Sequence, residues 1–286
     1  MDTGSQDIFP QIFIALVIAA VIFFLYMFVE KLYTSYLTYD SVRVEVYPYT
    51  GNIKKPFTQD PNNNLNKMLY VSENQLTGIE FTYTCFIYIS DKTDSGEEGW
   101  RTIFYKGYET GPFPLCGPGV FVSTASNINS APTLRIIMNT YEKWFNPIDV
   151  KQIPFNKWFH LGLVLRKNAM EVYVNGNIAA KHSFNGTLPY QNYQTLILFP
   201  DTKTKVSDFK NDSSNTVEKY GIPPGENFII HGEASGYISN MRYYRYAASY
   251  SEIQADMARG PSSQMDIGSM DLPPYLIDTW WTQVKN

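Results

Sequence analysis

Carboxylates are the residues of this chain that come nearest to a catalytic pattern. Glycoside hydrolysis needs two of them close together, one as the acid and one as the nucleophile or base. Glu80 precedes a segment that is free of acids, and Glu97 and Glu98 lie in a loop rich in glycine and aspartate. No acidic pair results from these spacings, so the sequence predicts a protein that is not an enzyme.

The three histidines do not have the spacing of a metal site. His160 lies between apolar residues of a predicted strand, while His182 and His231 stand far from it along the chain. Zinc ligands occur at short, regular spacings, so a structural place in the strand is the expected role of His160. The chain also lacks the G-x-S-x-G, P-loop and C-x-x-C motifs.

An acidic loop at residues 200–227 raises the question of calcium. Ca²⁺ binds carboxylate and carbonyl oxygens, and Asp201, Asp208 and Asp212 share this loop. Three lysines are interspersed among them, namely Lys203, Lys205 and Lys210. Interspersed cations indicate a solvated loop, so the sequence predicts no cofactor, with calcium as the alternative.

Composition points to one aromatic-rich β domain. Aromatic residues make up 16% of the 286 residues and charged residues 17%, and this mix favours strands around a large core. The net charge of −4 gives no nucleic-acid-binding footprint. The chain has two cysteines, Cys85 and Cys116, which are either reduced thiols or one disulfide.

Residues 8–29 carry no charge and form the most apolar stretch of the chain. As a helix they would be about 33 Å long, enough to cross a hydrocarbon core of about 30 Å. A signal peptide would begin with basic residues, whereas Asp2 and Asp7 stand here, and a buried core helix would show polar positions beyond Gln11. We therefore predict a single-pass membrane helix in contact with a lipid bilayer. The residues chosen to represent this anchor are Ile8, Phe13, Leu16, Val21, Phe24 and Val29.

The charges that flank the anchor favour one orientation. Lys31 and Arg43 follow it, and no lysine or arginine precedes it. By the positive-inside rule the C-terminal domain is expected on the cytosolic side.

Alternating patterns predict strands in most of the remaining chain. Residues 81–90 alternate with period two, and Asn175 and Gly176 between two β patterns predict a hairpin with a type I′ turn. Further strands are predicted at residues 42–46, 100–106, 120–123, 133–140, 158–166, 170–174, 177–183, 196–199 and 236–246. Residues 51–67, 110–119 and 200–227 are expected to be loops. Ser249 and Glu252 have the spacing of a capping box, which predicts a short helix that ends before Pro261.

Several segments, taken in their order along the chain, resemble those of a known protein family. The segments that carry this resemblance are residues 81–84, 103–107, 157–160, 172–176, 238–244 and a helix start at 251–253 that ends at 260–261. With them, the chain resembles the concanavalin A-like lectin/glucanase superfamily in its laminin-G-like branch. The resemblance implies an all-β, two-sheet antiparallel jelly-roll sandwich over residues 42–261. In its membrane-anchored format the chain is similar to proteins encoded by large double-stranded DNA viruses.

The resulting domain layout leaves an apolar C-terminal tail. A flank at residues 1–7, the helix at 8–29 and a stalk at 30–41 precede the sandwich, and residues 262–286 follow it. The tail residues that mark a candidate partner-binding segment are Leu272, Pro273, Pro274, Tyr275, Trp280 and Trp281. A segment this apolar is expected to pack on its own sandwich, on a partner or at the membrane surface.

These features lead to two functional hypotheses. In the first, a non-enzymatic structural protein docks a membrane to the proteins of a shell or scaffold. In a large DNA virus this would be a minor capsid protein between the inner membrane and the capsid. In the second, a membrane-anchored lectin binds glycans outside the cell or virion. The fold alone does not decide between them, because function depends on the sites that a fold carries.

The predicted orientation can be tested at two glycosylation sequons. A cytosolic domain would leave Asn185 and Asn211 unmodified when the chain is expressed in eukaryotic cells. We expect the same gel mobility before and after endoglycosidase treatment. A mobility shift that disappears in Asn185→Gln or Asn211→Gln would contradict this orientation and favour the lectin hypothesis.

Overall fold

The protein divides into two compact units, Met1–Arg43 and Val44–Asn286. A computed structural model describes residues 8–63, 66–72, 79–90, 99–108, 116–124, 132–143, 145–184, 186–205 and 228–266. In the first unit, helix α1 covers Ile8–Val42 and thus includes both the predicted anchor and the predicted stalk. Within it, Pro10–Tyr33 is long and apolar enough to cross a membrane.

The second unit is a β-sandwich. Among the described residues the strands are β1 Arg43–Gly51, β2 Lys55–Phe57, β3 Phe81–Ile89, β4 Gly99–Lys106, β5 Gly119–Thr124, β6 Leu134–Ile137, β7 Pro147–Val150, β8 Trp158–Arg166, β9 Ala169–Val174, β10 Asn177–Ser183, β11 Leu196–Leu198, β12 Lys203–Lys205, β13 Ile229–Glu233 and β14 Gly236–Tyr244. One short helix, α2, covers Tyr250–Arg259.

The strands form two sheets. The first has the order β1-β14-β3-β8-β9-β10, and the second has the order β12-β13-β4-β5-β6-β7, with β11 beside β4 and β2 beside β11. Strands β14, β3, β8, β9 and β10 pair antiparallel in turn. In the second sheet the pairs are antiparallel except β13 and β4. The all-β class and the two-sheet antiparallel jelly-roll sandwich predicted from the sequence are therefore confirmed.

One core holds the two sheets together. Tyr83, Ile87 and Leu163 of the first sheet share it with Ile103 and Val120 of the second, and each is almost fully buried. The predicted hairpin at its edge is present, since Asn175 and Gly176 have φ values of 49° and 74° between β9 and β10. Both values fit the type I′ turn, which needs positive φ at its two central positions.

Two short strands lie where the sequence predicts only loops. Strand β2 falls within residues 51–67, and β12 falls within residues 200–227. Each has three residues and pairs at the margin of the second sheet, β2 with β11 and β12 with β13. Such strands are missed because their residues lack an apolar alternation and take their extended form from the neighbour they pair with.

Both faces of the first sheet are covered around β3. Eight of the nine residues of β3 are buried, although its alternating sequence is typical of a strand with one exposed face. Helix α2 covers part of the outer face, and the predicted capping box is present, with Ser249 as N-cap and Glu252 bonded back to the Ser249 backbone. Ile253 is fully buried beneath the helix.

A buried carboxylate holds α2 on the sheet. Asp256 accepts hydrogen bonds from Thr84 Oγ1 at 2.9 Å, from the Tyr244 hydroxyl and from Arg242 Nη1 at 3.3 Å. Arg242 also contacts Glu45 Oε1 at 3.1 Å, but Glu45 is 55% exposed whereas Asp256 is 5% exposed. Asp256 therefore links strands β3 and β14 to the helix by charge-assisted bonds away from water.

We predict that Asp256→Ala costs about 3–5 kcal/mol of unfolding free energy, because it leaves the guanidinium of Arg242 buried without its buried partner. Glu45→Ala removes the other carboxylate of the same arginine and, being exposed, should cost less than about 1 kcal/mol. Chemical unfolding of the full chain measures both. Equal costs for the two variants would contradict a special role of Asp256.

Candidate binding site

A cleft of about 280 Å³ opens beside the end of strand β14. Nearby, Arg245 Nε donates to the carbonyl of Val71 at 3.0 Å, so residues 66–72 run along this end of the sandwich. The residues that line the cleft come from separate stretches of sequence and are Val71, Ser72, Ile79, Tyr141, Leu188, Tyr190, Gln191 and Tyr193. We call this site the tyrosine cleft.

Backbone hydrogen bonds build one wall of the tyrosine cleft. Tyr190 N–H donates to the Asn139 carbonyl at 2.9 Å, and Tyr141 N–H donates to the Leu188 carbonyl at 3.2 Å. The rings of Tyr141 and Tyr190 meet edge to face, with centroids 5.2 Å apart. Two segments distant in sequence thus present their aromatic side chains together.

Buried polar contacts fix the floor of the tyrosine cleft. Gln191 Nε2 donates to the Tyr243 hydroxyl at 2.5 Å, and Gln191 Oε1 accepts from Ser72 N–H at 3.0 Å. The Tyr243 hydroxyl in turn donates to the Tyr70 carbonyl at 2.6 Å. Burial raises the pKa of Tyr243 above its ordinary range, so this phenol keeps its proton. Both the nitrogen and the oxygen of the Gln191 amide are hydrogen-bonded within the protein, and this fixes the side chain at the cleft floor.

A buried lysine secures the same wall from behind. Lys106, fully buried at the end of β4, donates from Nζ to the Asn192 carbonyl and to the Gln194 carbonyl at 3.0 Å. Asn192 Nδ2 returns a hydrogen bond to the Lys106 carbonyl at 3.0 Å. Burial lowers the pKa of Lys106 to about 7. Asn192 and Gln194 lie on either side of Tyr193, so the lysine sets the position of that wall.

The tyrosine cleft has the chemistry of a binding surface. Tyr141 and Tyr193 are 68% and 66% exposed, and Leu188 lies beside them half exposed. None of the described residues that line the cleft is charged or a histidine. Tyrosine offers a large apolar face and a polar hydroxyl, so the cleft can hold a neutral or apolar group.

The residues considered for chemistry do not converge on one place. His160 is buried, its ring lies 5.0 Å from that of Phe86, and burial lowers its pKa to about 4. This fits its expected structural role in β8. His182 packs edge to face on Phe184, and burial lowers its pKa. Glu97 and Glu98 lie outside the described residues.

The calcium alternative gains no support from the described part of the loop. Asp201 Oδ1 accepts from Lys54 Nζ at 2.7 Å, and this contact lowers the pKa of Asp201. Asp208 and Asp212 are not among the described residues. Within the ranges that the structure describes, no group of three or more His, Cys, Asp or Glu residues is placed to hold a metal ion.

The predicted anchor residues lie on α1, and the tail is outside the described residues. The helix begins at Ile8, and Phe13, Leu16, Val21, Phe24 and Val29 are each more than half exposed. The tail positions, which the structure does not describe, are Leu272, Pro273, Pro274, Tyr275, Trp280 and Trp281. Cys85 and Cys116 are free thiols, both buried.

Sequence reasoning missed the tyrosine cleft. Its clearest signal is the run PYQNYQ at residues 189–194, which combines aromatic and amide side chains without a strand or helix period. Nothing local links that run to Tyr141 or to Ser72. In the sequence, Lys106 follows an apolar strand pattern and would be expected at the surface, since lysine is rarely buried.

Comparison with known proteins shows only distant structural similarity. No protein-family model and no curated protein sequence matches the chain. The receptor-binding domain of botulinum neurotoxin D has 13% identity and a TM-score of 0.44, over 73% of this chain and 43% of that chain. The serotype D ligand-binding domain in complex with N-acetylneuraminic acid has 11% identity and a TM-score of 0.45, over 73% and 41%.

A native heptameric SAP-like pentraxin from Limulus polyphemus has 12% identity and a TM-score of 0.43, over 78% of this chain and 84% of that chain. The chain spans less than half the length of the toxin domains it matches. Similarity at this level carries no argument about a ligand or a partner. The laminin-G-like branch and the viral origin stay predictions from the sequence.

The pKa of Lys106 predicts a pH dependence of stability. The unfolded chain keeps this proton to about pH 10.5 and the folded chain only to about pH 7, so the unfolded state binds more protons between these values. Unfolding free energy should therefore rise by about 2 kcal/mol from about pH 7 to about pH 9. Below about pH 7 Lys106 is charged in both states and adds no slope.

Lys106→Met should remove this rise, whereas Lys143→Met, at an exposed lysine near the cleft, should keep it. Urea unfolding of the full chain at each pH measures the difference. An unchanged slope in Lys106→Met would show that another group is responsible.

Proposed function

We propose that this chain is a non-enzymatic, membrane-anchored interaction protein whose sandwich docks a membrane to a neighbouring protein through the tyrosine cleft. The observation that carries the proposal is the pair of exposed tyrosines, Tyr141 and Tyr193, held over a floor of satisfied buried polar groups. Tyrosine is enriched at protein interfaces and at the few residues that dominate binding energy.

The apolar helix supports the anchored half of this proposal. Pro10–Tyr33 is uncharged but for Glu30 and Lys31 near its end, and its large apolar side chains are exposed. A helix of this length and apolarity is stable in a bilayer because every backbone group inside it is hydrogen-bonded within the helix. The sandwich would thus act at a membrane surface.

The tyrosine cleft supports the docking half. Its wall and floor are fixed by hydrogen bonds to Asn139, Ser72, Tyr243 and Lys106, so little order has to be gained on binding. A pre-formed site loses less conformational entropy than one that must be assembled. The neutral lining favours a partner segment that inserts an apolar or prolyl side chain between Tyr141 and Tyr193.

The identity of the partner stays a prediction from the sequence. A shell or capsid protein of a large DNA virus fits the predicted cytosolic orientation. Glycan binding is the second candidate, and the same cleft favours it in one respect. An apolar sugar face can stack on Tyr141 or Tyr193 while the tyrosine hydroxyls bind the sugar hydroxyls.

The test is cross-linking mass spectrometry on native membranes or particles that carry the full chain. Links from Lys143, two residues after Tyr141 in sequence, to one or a few abundant proteins are expected. Tyr141→Ala and Tyr193→Ala should each weaken the association roughly thirtyfold, the effect of an interface hot spot of about 2 kcal/mol. Tyr250→Ala, which removes an exposed tyrosine of α2, is the matched control and should leave the links unchanged.

Two outcomes would overturn docking through the cleft. If the links persist in the Tyr141→Ala/Tyr193→Ala double variant, the interface lies outside the tyrosine cleft. Absence of protein neighbours, together with binding of a neutral glycan that both substitutions abolish, would assign the cleft to a sugar instead.

A further inference from the structure

Three aromatic side chains form a second surface on the outer face of the first sheet, where Trp158 is exposed and Tyr88 and Tyr237 are half-buried. Tyr88 of β3 pairs directly with Tyr237 of β14 and with Trp158 of β8. The ring of Tyr88 lies 6.0 Å from that of Tyr237 and 5.7 Å from that of Trp158. Trp158 is 36% exposed. We call these residues the aromatic triad.

The aromatic triad lies beside a covered part of the same face. The next row along the strands consists of Ser239, Phe86 and His160, and all three are buried. The face therefore changes from buried to partly exposed between one row and the next. A row of aromatic side chains next to a covered part of the same face can bind a further segment of chain, because apolar patches of this kind mark interaction sites.

The chain that leaves α2 crosses this face next to the aromatic triad. Asn240 Nδ2 donates to the Gly260 carbonyl at 2.7 Å, and Ser262 N–H donates to Ser239 Oγ at 2.8 Å. Ser239 is two residues from Tyr237 on β14, so its side chain points to the same face. The end of the described chain thus passes one row away from the triad.

Pairing with β1 then fixes where the tail begins. Thr50 N–H donates to the Gln264 carbonyl at 2.8 Å, and Asp266 N–H donates to the Thr50 carbonyl at 2.8 Å. Asp266 also accepts from the Tyr47 hydroxyl at 2.9 Å. Thr50, near the end of β1, bonds to Ser239 of β14, whereas Glu45, near the start of β1, bonds to Arg242. The last residues of β1 therefore lie beside the first residues of β14, which include Tyr237.

The chain beyond Asp266 is long enough and apolar enough to cover the aromatic triad. Twenty residues follow Asp266, and residues 272–281 among them carry the large apolar side chains of Leu272, Tyr275, Leu276, Ile277, Trp280 and Trp281. Six residues of extended chain reach about 20 Å. Residues 264–266 pair with the outer edge of β1, so they lie three strand spacings from β3, about 14 Å. The apolar part therefore begins within reach of Tyr88.

We infer that residues 272–281 dock on the aromatic triad of their own sandwich. Trp280, Trp281 and Tyr275 would pack against Trp158, Tyr88 and Tyr237, and both surfaces would leave water. Aromatic pairs favour offset and edge-to-face contacts, which the open rings of the triad permit. This inference is independent of the tyrosine cleft, since Tyr243, which bonds the cleft floor, lies near the opposite end of β14.

Hydroxyl-radical footprinting of the full chain in detergent micelles tests the docking. In a Trp280→Ser/Trp281→Ser variant, oxidation of Trp158 should rise several-fold, while oxidation of Tyr250 on α2 stays constant as the internal reference. The matched control is Tyr141→Ser, which removes an exposed aromatic ring at the other end of the sandwich and should leave Trp158 unchanged. Equal oxidation of Trp158 in the tail variant and the natural chain would overturn the inference.

The reciprocal experiment reads the tail itself. Tyr88→Ser/Tyr237→Ser should increase the oxidation of Trp280 and Trp281 several-fold, and an unchanged value would count against docking. Protection of Trp158 should also persist on dilution, because the contact is within one chain. Protection that is lost on dilution would overturn the inference and assign the contact to the tail of a second copy.

Discussion

The sandwich depends on covering both faces of its first sheet. Strand β3 alternates apolar and polar or aromatic residues, yet nearly all of its side chains are buried. One face packs in the core shared with the second sheet. The other face carries hydroxyls at Thr82 and Thr84, which would be costly to bury without partners. Helix α2 meets this requirement, because Asp256 accepts from Thr84 and the chain before the helix bonds Thr82.

This polar attachment divides the outer face into regions of different chemistry. Where α2 lies, a carboxylate, a guanidinium and two hydroxyls satisfy one another out of water. Towards the start of β14 the same strands carry the aromatic side chains of Tyr88, Trp158 and Tyr237, which α2 leaves partly exposed. A helix held by charged groups has a fixed position, so the boundary between the covered and the open part of the face is also fixed.

The tyrosine cleft is an extension of the core. Tyr243 packs against Tyr83 with ring centroids 4.9 Å apart, and its hydroxyl binds Gln191 and Tyr70 at the floor of the cleft. Lys106 supports the wall of the cleft from β4, where its Nζ donates to the carbonyls of Asn192 and Gln194 on either side of Tyr193. Polar groups buried with all partners present are rigid. Exposed tyrosines on such a support present one surface.

The sequence by itself determined the features that depend on neighbours in the chain. It predicted the apolar helix from an uncharged run, most strands from period-two alternation, the Asn175-Gly176 turn from its need for positive φ, and the capping box of α2. Only the tertiary structure decided that Asp256 and Lys106 are buried, that short strands β2 and β12 form, and that Ser72, Tyr141 and Tyr193 share a cleft. The physical reason is that local patterns arise from backbone sterics and from the period of a single element. The burial of a charge and the lining of a cleft depend instead on which distant segments come together. The periodicity of the sequence does not indicate which segments these are.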